Sequence, residues 1–540
     1  METKTKKQLT VRGLIIGSLG SIILTASSMY VALKLGALPW PIIFVALVSM
    51  FSLKLLGNTN INEINVTHTA MSAGAMVAGG LAFTIPAFYM MNGKADEISF
   101  PVLLLISIGG VLLSLAFTGL IHKNFIIEQN LPYPMGQAAA ETLVIGDEGG
   151  KKSRLLFGAF SASALFTVLR DWTKNIPAIV PLNSKLINSG VAAYLWLSPM
   201  LIAVGYTVGP LYIGVWFLGS LIGDLGIVFG GVSTGAWDLT TAGAIKSSLG
   251  IGVMVGCGLG IIAKNLLPQI KKMFSSISVK SDLSVAPIGF IIFAIIASIP
   301  ILTFGLKIPF VAVLLTIAGL WLACCMSAQA VGLSGINPME VFAVIILLLI
   351  ALVITLSPKE AIFIAAIIAV GSGLTGDIMN DFKAGHIVKS NPKSQWIAEA
   401  VGGIVGAFVA SGVFFILIKA YGTDIFGPDK MFPAPQAGLV AAMAGGIPHM
   451  SAFLIGFSIG FLAYVTGLPV MTLGLGIYLP FYLSLTAAIG GALRFISIKF
   501  APKFEESGKG GIIAPGLLGG EAFVGVLIAL VQAISALSGK

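Results

Sequence analysis

Continuous apolar runs of about 20 residues recur along the whole chain, and they restrict it to very few structures. In hydrocarbon no water reaches the backbone, so each spanning segment must satisfy its own N–H and C=O groups, and only helices and closed barrels do so. Barrel strands would alternate in polarity over about ten residues. Here the runs are unbroken, as in Val341 to Leu356. The chain has 540 residues, 57% hydrophobic and 10% charged, so a lipid bilayer is its expected surrounding. The runs begin near Leu14, Pro39, Ala70, Pro101, Ser153, Val191, Gly209 and Ala242, and again near Pro287, Pro309, Met339, Lys359, Ile397, Ala437, Leu468 and Gly511. The expectation is an all-α polytopic membrane protein with about 16 transmembrane helices.

The net charge is +9, and the excess sits in short loops. It reads as topology information, not as nucleic-acid binding. His122-Lys123, Lys151-Lys152-Arg154, Lys271-Lys272-Lys280, Lys383-Lys389-Lys393 and Lys499-Lys503-Lys509 are expected on the cytoplasmic side of the inner (plasma) membrane. Both termini then lie inside. Lys4, Lys6, Lys7 and Arg12 precede an apolar stretch without a convincing cleavage site, which suggests a retained first helix. Cys257, Cys324 and Cys325 fall in apolar segments and read as buried small side chains.

Short matches relate the two halves. Ile64-Asn65-Val66-Thr67-His68 pairs with Ile336-Asn337-Pro338-Met339-Glu340. Asn130-Leu131-Pro132 pairs with Asn391-Pro392, Tyr206 to Gly209 with Tyr464 to Gly467, and Gly252-Val253 with Gly525-Val526. Their colinear order suggests two tandem, parallel repeats, 1–280 and 281–540, with a linker over 265–287. Such halves point to a transporter whose pathway lies between them. Gly252-x3-Gly256-x3-Gly260 and Gly402-x3-Gly406 have the spacing of close helix packing.

Ionisable residues inside apolar spans are costly and need a reason. His68, Glu141, Asp224, Asp238, Glu340, Asp377, Glu399, Arg494 and Glu521 are such residues. For proton coupling the candidates are His68, Glu141, Glu340, Glu399 and Glu521. Asn65 and Asn337 sit at matched positions with His68 and Glu340, and would bond substrate or each other's helices. Leu131-Pro132-Tyr133-Pro134 followed by small residues suggests a broken or re-entrant segment, with Tyr133, Gln137 and Glu141 on one helical face. Pro433-Ala434-Pro435-Gln436, running on to His449, is its companion. Half-helix ends of this kind can hold charged groups of a substrate. Trp237-Asp238 follows a glycine-rich break and would clamp a substrate amine, or else sit at the membrane interface. The substrate-binding candidates are thus Asn65, Tyr133, Gln137, Trp237, Asp238, Asn337 and His449.

No GxxxxGK[ST] or HExxH pattern is present, so no nucleotide-driven pump, cofactor or catalytic metal is expected. Gly223-Asp224 and Gly376-Asp377 lack the preceding glycine of intramembrane aspartyl proteases, which leaves an enzyme reading remote.

The stretch Leu131 to Glu141 resembles the LPFPSGTAAAE hallmark of the oligopeptide transporter family, which includes the yellow-stripe-like metal-chelate carriers. Gly467 to Gly491 is similar to that family's late GLYLPF…GG region, Gly511 to Val526 to its terminal AGEA segment, and Gly376 to Lys383 to its D..QD.K.G loop. The resemblance covers nearly the whole chain. Met135-Gly136-Gln137 departs from the usual Ser-Gly-Thr, and the loops are short, as in a compact prokaryotic member. The resemblance implies a proton-coupled importer of small oligopeptides, or of peptide-like metal chelates. Self-association into a homo-oligomer is compatible with it.

Overall fold

A computed structural model describes residues 7–35, 38, 42–92, 98–145, 151–261, 263–264, 284–334, 337–427, 430–445 and 447–537. The first half runs through α1 (Val11–Leu35), α2 (Ile42–Leu55), α3 (Ile61–Ala82), α4 (Phe100–His122), α5 (Pro134–Ile145) and α6 (Lys151–Thr167). A short antiparallel pair follows, β1 (Ile179–Pro181) and β2 (Tyr194–Trp196), with Val180 opposite Leu195. Then come α7 (Pro199–Val208), α8 (Pro210–Ser220) and α9 (Leu239–Ile261). The second half contains α10 (Ile288–Pro300), α11 (Phe310–Ser334), α12 (Met339–Ala351), α13 (Pro358–Val388) and α14 (Pro392–Tyr421). It ends with α15 (Pro435–Gly445), α16 (Met450–Val465), α17 (Met471–Tyr478), α18 (Phe481–Phe500) and α19 (Lys509–Leu537).

Eleven of the described helical stretches are long and apolar enough to cross a membrane, and α7, α12 and α16 are shorter apolar helices. The chain is a polytopic all-α membrane protein. Large apolar side chains such as Leu19, Phe293, Phe408 and Phe495 are exposed on the outer helix faces, where a bilayer would cover them. At the centre, α3 is buried from Glu63 to Ala82 and α13 from Ala361 to Gly385. These two pack on each other and against α14.

Backbone approach at glycine holds the other pairs together. A β-carbon on Gly252 or Gly256 of α9 would collide with Phe453 O or Phe457 O of α16, and Gly456 and Gly460 face Leu249 O and Val253 O in return. Gly516 and Gly520 of α19 meet Leu156 O and Phe160 O of α6 in the same manner. Gly205 of α7 meets Ala487 O of α18, while Gly476 of α17 meets Trp216 O of α8. In α14, Gly402 and Gly406 lie against Ala70 O and Gly74 Cα of α3. The predicted packing roles of Gly252, Gly256, Gly402 and Gly406 are those seen.

Two short helices begin with the same unusual turn. Tyr133 (φ 45°) and Ala434 (φ 39°) both lie between prolines in the left-handed region, a costly conformation for a residue with a β-carbon. Each is held by a distant carbonyl at the end of a long helix. Tyr133 N–H donates to Gly332 O of α11 at 2.9 Å, and Ala434 N–H to Leu33 O of α1 at 3.0 Å. The breaks expected at both Pro-x-Pro segments are present.

Some expectations need correction. The run from Leu468 is two helices, because Pro480 cannot donate to the helical ladder and α18 restarts after it. The run near Val191 enters through β2, and its helix starts only at Pro199, where the Ser198 side chain accepts from Leu201 N–H. Gly376 to Lys383, expected as a loop, lies inside α13. The linker 265–287 is described only from 284 onward, and Lys271, Lys272 and Lys280 lie outside the described residues.

Candidate functional site

Three helices are cut so that their polar residues converge in the apolar interior. α13 starts at a capping box of Ser357 and Glu360 and runs 31 residues without a break. Asp377 and Asp381 are four residues apart on it, hence on one face. α14 starts after Asn391, whose side chain accepts from Lys393 N–H, and presents Gln395 and Glu399 on one face. α3 starts at Asn60, whose side chain accepts from Asn62 and Glu63 N–H, and contributes His68, Thr69 and Ser72. His68, Thr69, Ser72, Asp377, Asp381, Gln395 and Glu399 are all buried.

Carboxylate oxygens of Asp377, Asp381 and Glu399 lie within 4.8 Å of one another. His68 Nδ1 is 3.6 Å from Asp381 Oδ1. Ser72 Oγ donates to Asp381 Oδ2 at 2.8 Å, and Gln395 Nε2 donates to Asp381 O at 2.6 Å and Thr69 Oγ1 at 3.3 Å. Among the described residues, both Glu399 oxygens, Asp377 Oδ2 and both His68 nitrogens have no hydrogen-bond partner. Two unit charges at this separation repel by about 3 kcal/mol at an effective dielectric near 20. Three bare carboxylates are therefore not a stable arrangement, and something positive must enter among them. Protons shared between the oxygens would suffice. The same three acids are also the set among the described residues spaced to hold a metal ion.

Two of the predicted coupling residues, His68 and Glu399, are thus brought together. Asp381 was not among the candidate site residues, and Asp377 entered as an ionisable residue in an apolar run, in the remote protease reading and in the family-like segment Gly376 to Lys383. Their four-residue spacing within 358–388 was the available signal. Asp224, the other half of the remote protease reading, is instead ion-paired to Lys246 at 2.7 Å.

The remaining candidates fall elsewhere. Asn65 Nδ2 donates to Ser390 Oγ at 3.1 Å. Asn337 is taken up by the α13 backbone, donating to Ser372 O and Gly373 O and accepting from Ser327. It pins the α11–α12 connection instead of meeting Asn65. Glu340 is buried in the first turn of α12. Glu521 of α19 accepts from Ser198 Oγ and Met200 N–H and pairs with Arg170 at 2.9 Å.

Tyr133 and Gln137 do not share a face. Tyr133 precedes α5 and is fully buried, with its hydroxyl donating to Ala328 O, whereas Gln137 is exposed. The Glu141 side chain lies outside the described residues. The hallmark segment instead docks onto α13. Gly136 N–H donates to Asn380 Oδ1 at 3.1 Å, and Lys383 Nζ donates to Asn130 Oδ1 at 2.7 Å. Any β-carbon at position 136 would strike Asn380 O.

Trp237, Asp238 and His449 are structural in their contacts. Trp237 Nε1 donates to Ile227 O. Asp238 is exposed at the start of α9 and accepts from Thr241 N–H at 2.7 Å. The Thr241 hydroxyl, and then its N–H, hold that carboxyl below the usual carboxylate range. His449 caps α16, its Nδ1 accepting from Ala452 N–H. Each contributes a polar atom to a helix end or a backbone carbonyl.

A cavity of about 520 Å³ opens at the far end of α14, bounded by Tyr421, the end of α1 and the β1–β2 pair. Tyr421 and Glu399 are separated along α14 by roughly 33 Å at 1.5 Å per residue.

Comparison with known proteins finds relatives along nearly the whole chain. A Haemophilus influenzae protein named "Putative oligopeptide transporter" is 26% identical over 597 residues, covering 95% of this chain and 93% of the relative. Metal-nicotianamine transporter YSL2 of Oryza sativa subsp. japonica is 23% identical, covering 66% of this chain and 60% of the relative. Metal-nicotianamine transporter YSL3 of Arabidopsis thaliana is 24% identical over 44% of this chain and 37% of its own length. The pattern described as OPT oligopeptide transporter protein matches residues 8–532, so the chain belongs to that family of membrane transporters.

Proposed function

We propose that the chain is a proton-coupled secondary transporter that imports small oligopeptides by alternating access. One observation carries this reading: the buried group of His68, Asp377, Asp381 and Glu399, in which both Glu399 oxygens, Asp377 Oδ2 and both His68 nitrogens lack hydrogen-bond partners among the described residues. A proton entering that group changes its charge and hence the relative stability of two helix arrangements. Coupling follows if substrate binds the two arrangements unequally.

The proposed layout is two tandem parallel repeats, 1–280 and 281–540, about 16 helices in all, with both termini cytoplasmic in the plasma membrane. The mirrored glycine contacts support the repeats, as do the paired turns at Tyr133 and Ala434. They favour a different register from the sequence matches: Gly205 corresponds to Gly476, not to a residue of α16, and Asn65 does not correspond to Asn337.

The test is uptake into proteoliposomes under an inward proton gradient, with wild type and Glu399→Gln. The expected result is gradient-driven accumulation of short peptides by the wild type. The variant should lose that accumulation yet still exchange labelled for unlabelled substrate. An unchanged pH dependence in Glu399→Gln removes the cluster from coupling. The names of the plant relatives favour a second reading, import of peptide-like metal chelates, and accumulation of nickel–nicotianamine without peptides would select it.

A further inference from the structure

We propose that the cavity at the end of α14 receives a carboxylate of the transported molecule, with Lys34 as its ion-pair partner. This rests on the transporter reading and adds the chemical group that is recognised and the residue that recognises it.

The cavity, at about 520 Å³, falls within the range of small-molecule pockets. Its charged walls are Arg170, Asp171 and Lys34. Arg170 is already spent. Its Nε and Nη2 donate to Asp171 at 2.7 and 2.6 Å, and its Nη1 donates to Leu197 O at 2.6 Å and pairs with Glu521 at 2.9 Å. Lys34 is not. Among the described residues it makes no hydrogen bond and no ion pair. Its ammonium instead sits 5.3 Å from the ring centres of Trp196 and Phe432 and 6.0 Å from that of Tyr30.

The rings hold the cation in place, because cation–π attraction is strongest where water is excluded. They are themselves braced: Trp196 meets Tyr482 edge-on, and Tyr30 meets Phe432 in the same way. Aromatic faces cannot accept three N–H bonds with the directionality of oxygen, so the ammonium keeps donors to offer. It is a positioned cation with an open side, at the wall of a space large enough for a short peptide. A carboxylate is the group that completes it, by a charge-assisted hydrogen bond. The charges of Lys34, Arg170, Asp171 and Glu521 already cancel, so a molecule that carries its own ammonium beside its carboxylate enters without unbalancing the pocket. Peptides end in such a carboxylate, and amino-acid-derived chelators carry several.

The experiment is calorimetric titration of the purified full chain in detergent with trialanine, trialanine amide and nickel–nicotianamine. No gradient or vesicle is involved. At least one of the two acids should bind the wild type. Lys34→Met should weaken that binding at least tenfold, and Lys34→Arg should restore it to within about threefold. Trialanine amide should bind the wild type no better than the acid binds Lys34→Met. Which acid binds separates a peptide carboxylate from a chelate carboxylate. Equal affinity of wild type and a monodisperse Lys34→Met, equal affinity for acid and amide, or no binding of either acid overturns the proposal. Carboxylate binding without uptake leaves this proposal standing and removes the transporter reading. Uptake with unchanged affinity in Lys34→Met does the reverse.

Discussion

Asp238 stands beside a tryptophan after a glycine-rich break, and its carboxylate is occupied by the N–H of Thr241, three residues on. Asn at a helix start accepts the same bond. Asp238→Asn should therefore transport at wild-type rate, where a substrate-amine role would abolish uptake. The cap is also pH-dependent. Its folded carboxyl is held below the ordinary range, so its contribution is complete above the unfolded pKa and fades as pH falls through the lowered folded value. Tyr133 makes the complementary case. Tyr133→Phe removes a buried hydroxyl that donates to Ala328 O. It should lower stability by about 1 kcal/mol or slightly more, seen as a reduced melting temperature with unchanged substrate affinity. Residue chemistry was legible in sequence only where burial was unavoidable. His68 and Glu399 lie past the first turns of long helices at the start of apolar runs, and among the described residues no short-range backbone donor claims them. Asp238 and His449 lie beside helix starts, where a local N–H satisfies them, and no periodicity separates that outcome from a ligand contact.

At the level of elements, the long helices were readable because lipid allows no other use of 20 apolar residues. The pairings were not, because glycine marks a close approach without naming the partner. α9 and α16 illustrate this. Their contact is backbone against backbone at Gly252, Gly256, Gly456 and Gly460, and no side-chain adjustment can relieve an added methyl there. Gly256→Val should destabilise by at least the 1–3 kcal/mol typical of overpacking, with lower monodisperse yield in detergent. Gly214 has open space around it, and Gly214→Ala should leave yield unchanged. The Pro-x-Pro turns were visible as breaks. Their holding carbonyls, at the ends of helices far away in sequence, were not.

For the whole molecule, the glycine contacts run between the halves: α7 with α18, α8 with α17, α9 with α16, and α6 with α19. Neither half can bury these surfaces alone. Residues 1–280 and 281–540 expressed separately should each be degraded or aggregate. Co-expression of the two should restore a stable complex with gradient-driven uptake, and failure of co-expression to restore any folded complex would count against the division near 280.

The geometry of α14 has a mechanical consequence. Backbone contact at Gly402 and Gly406 fastens it to α3, so His68 and Glu399 travel on one rigid strut, and Tyr421 forms its far tip. A rod of this length turns small rotations into large strokes. With roughly 33 Å between Glu399 and Tyr421, a 10° tilt pivoting at the acids sweeps the tip by about 6 Å, wider than a water molecule and comparable to a peptide backbone. Spin labels on the α14 tip and on α8 should then report a pH-dependent change of several ångströms, and a fixed distance across the titration would show that the strut does not swing.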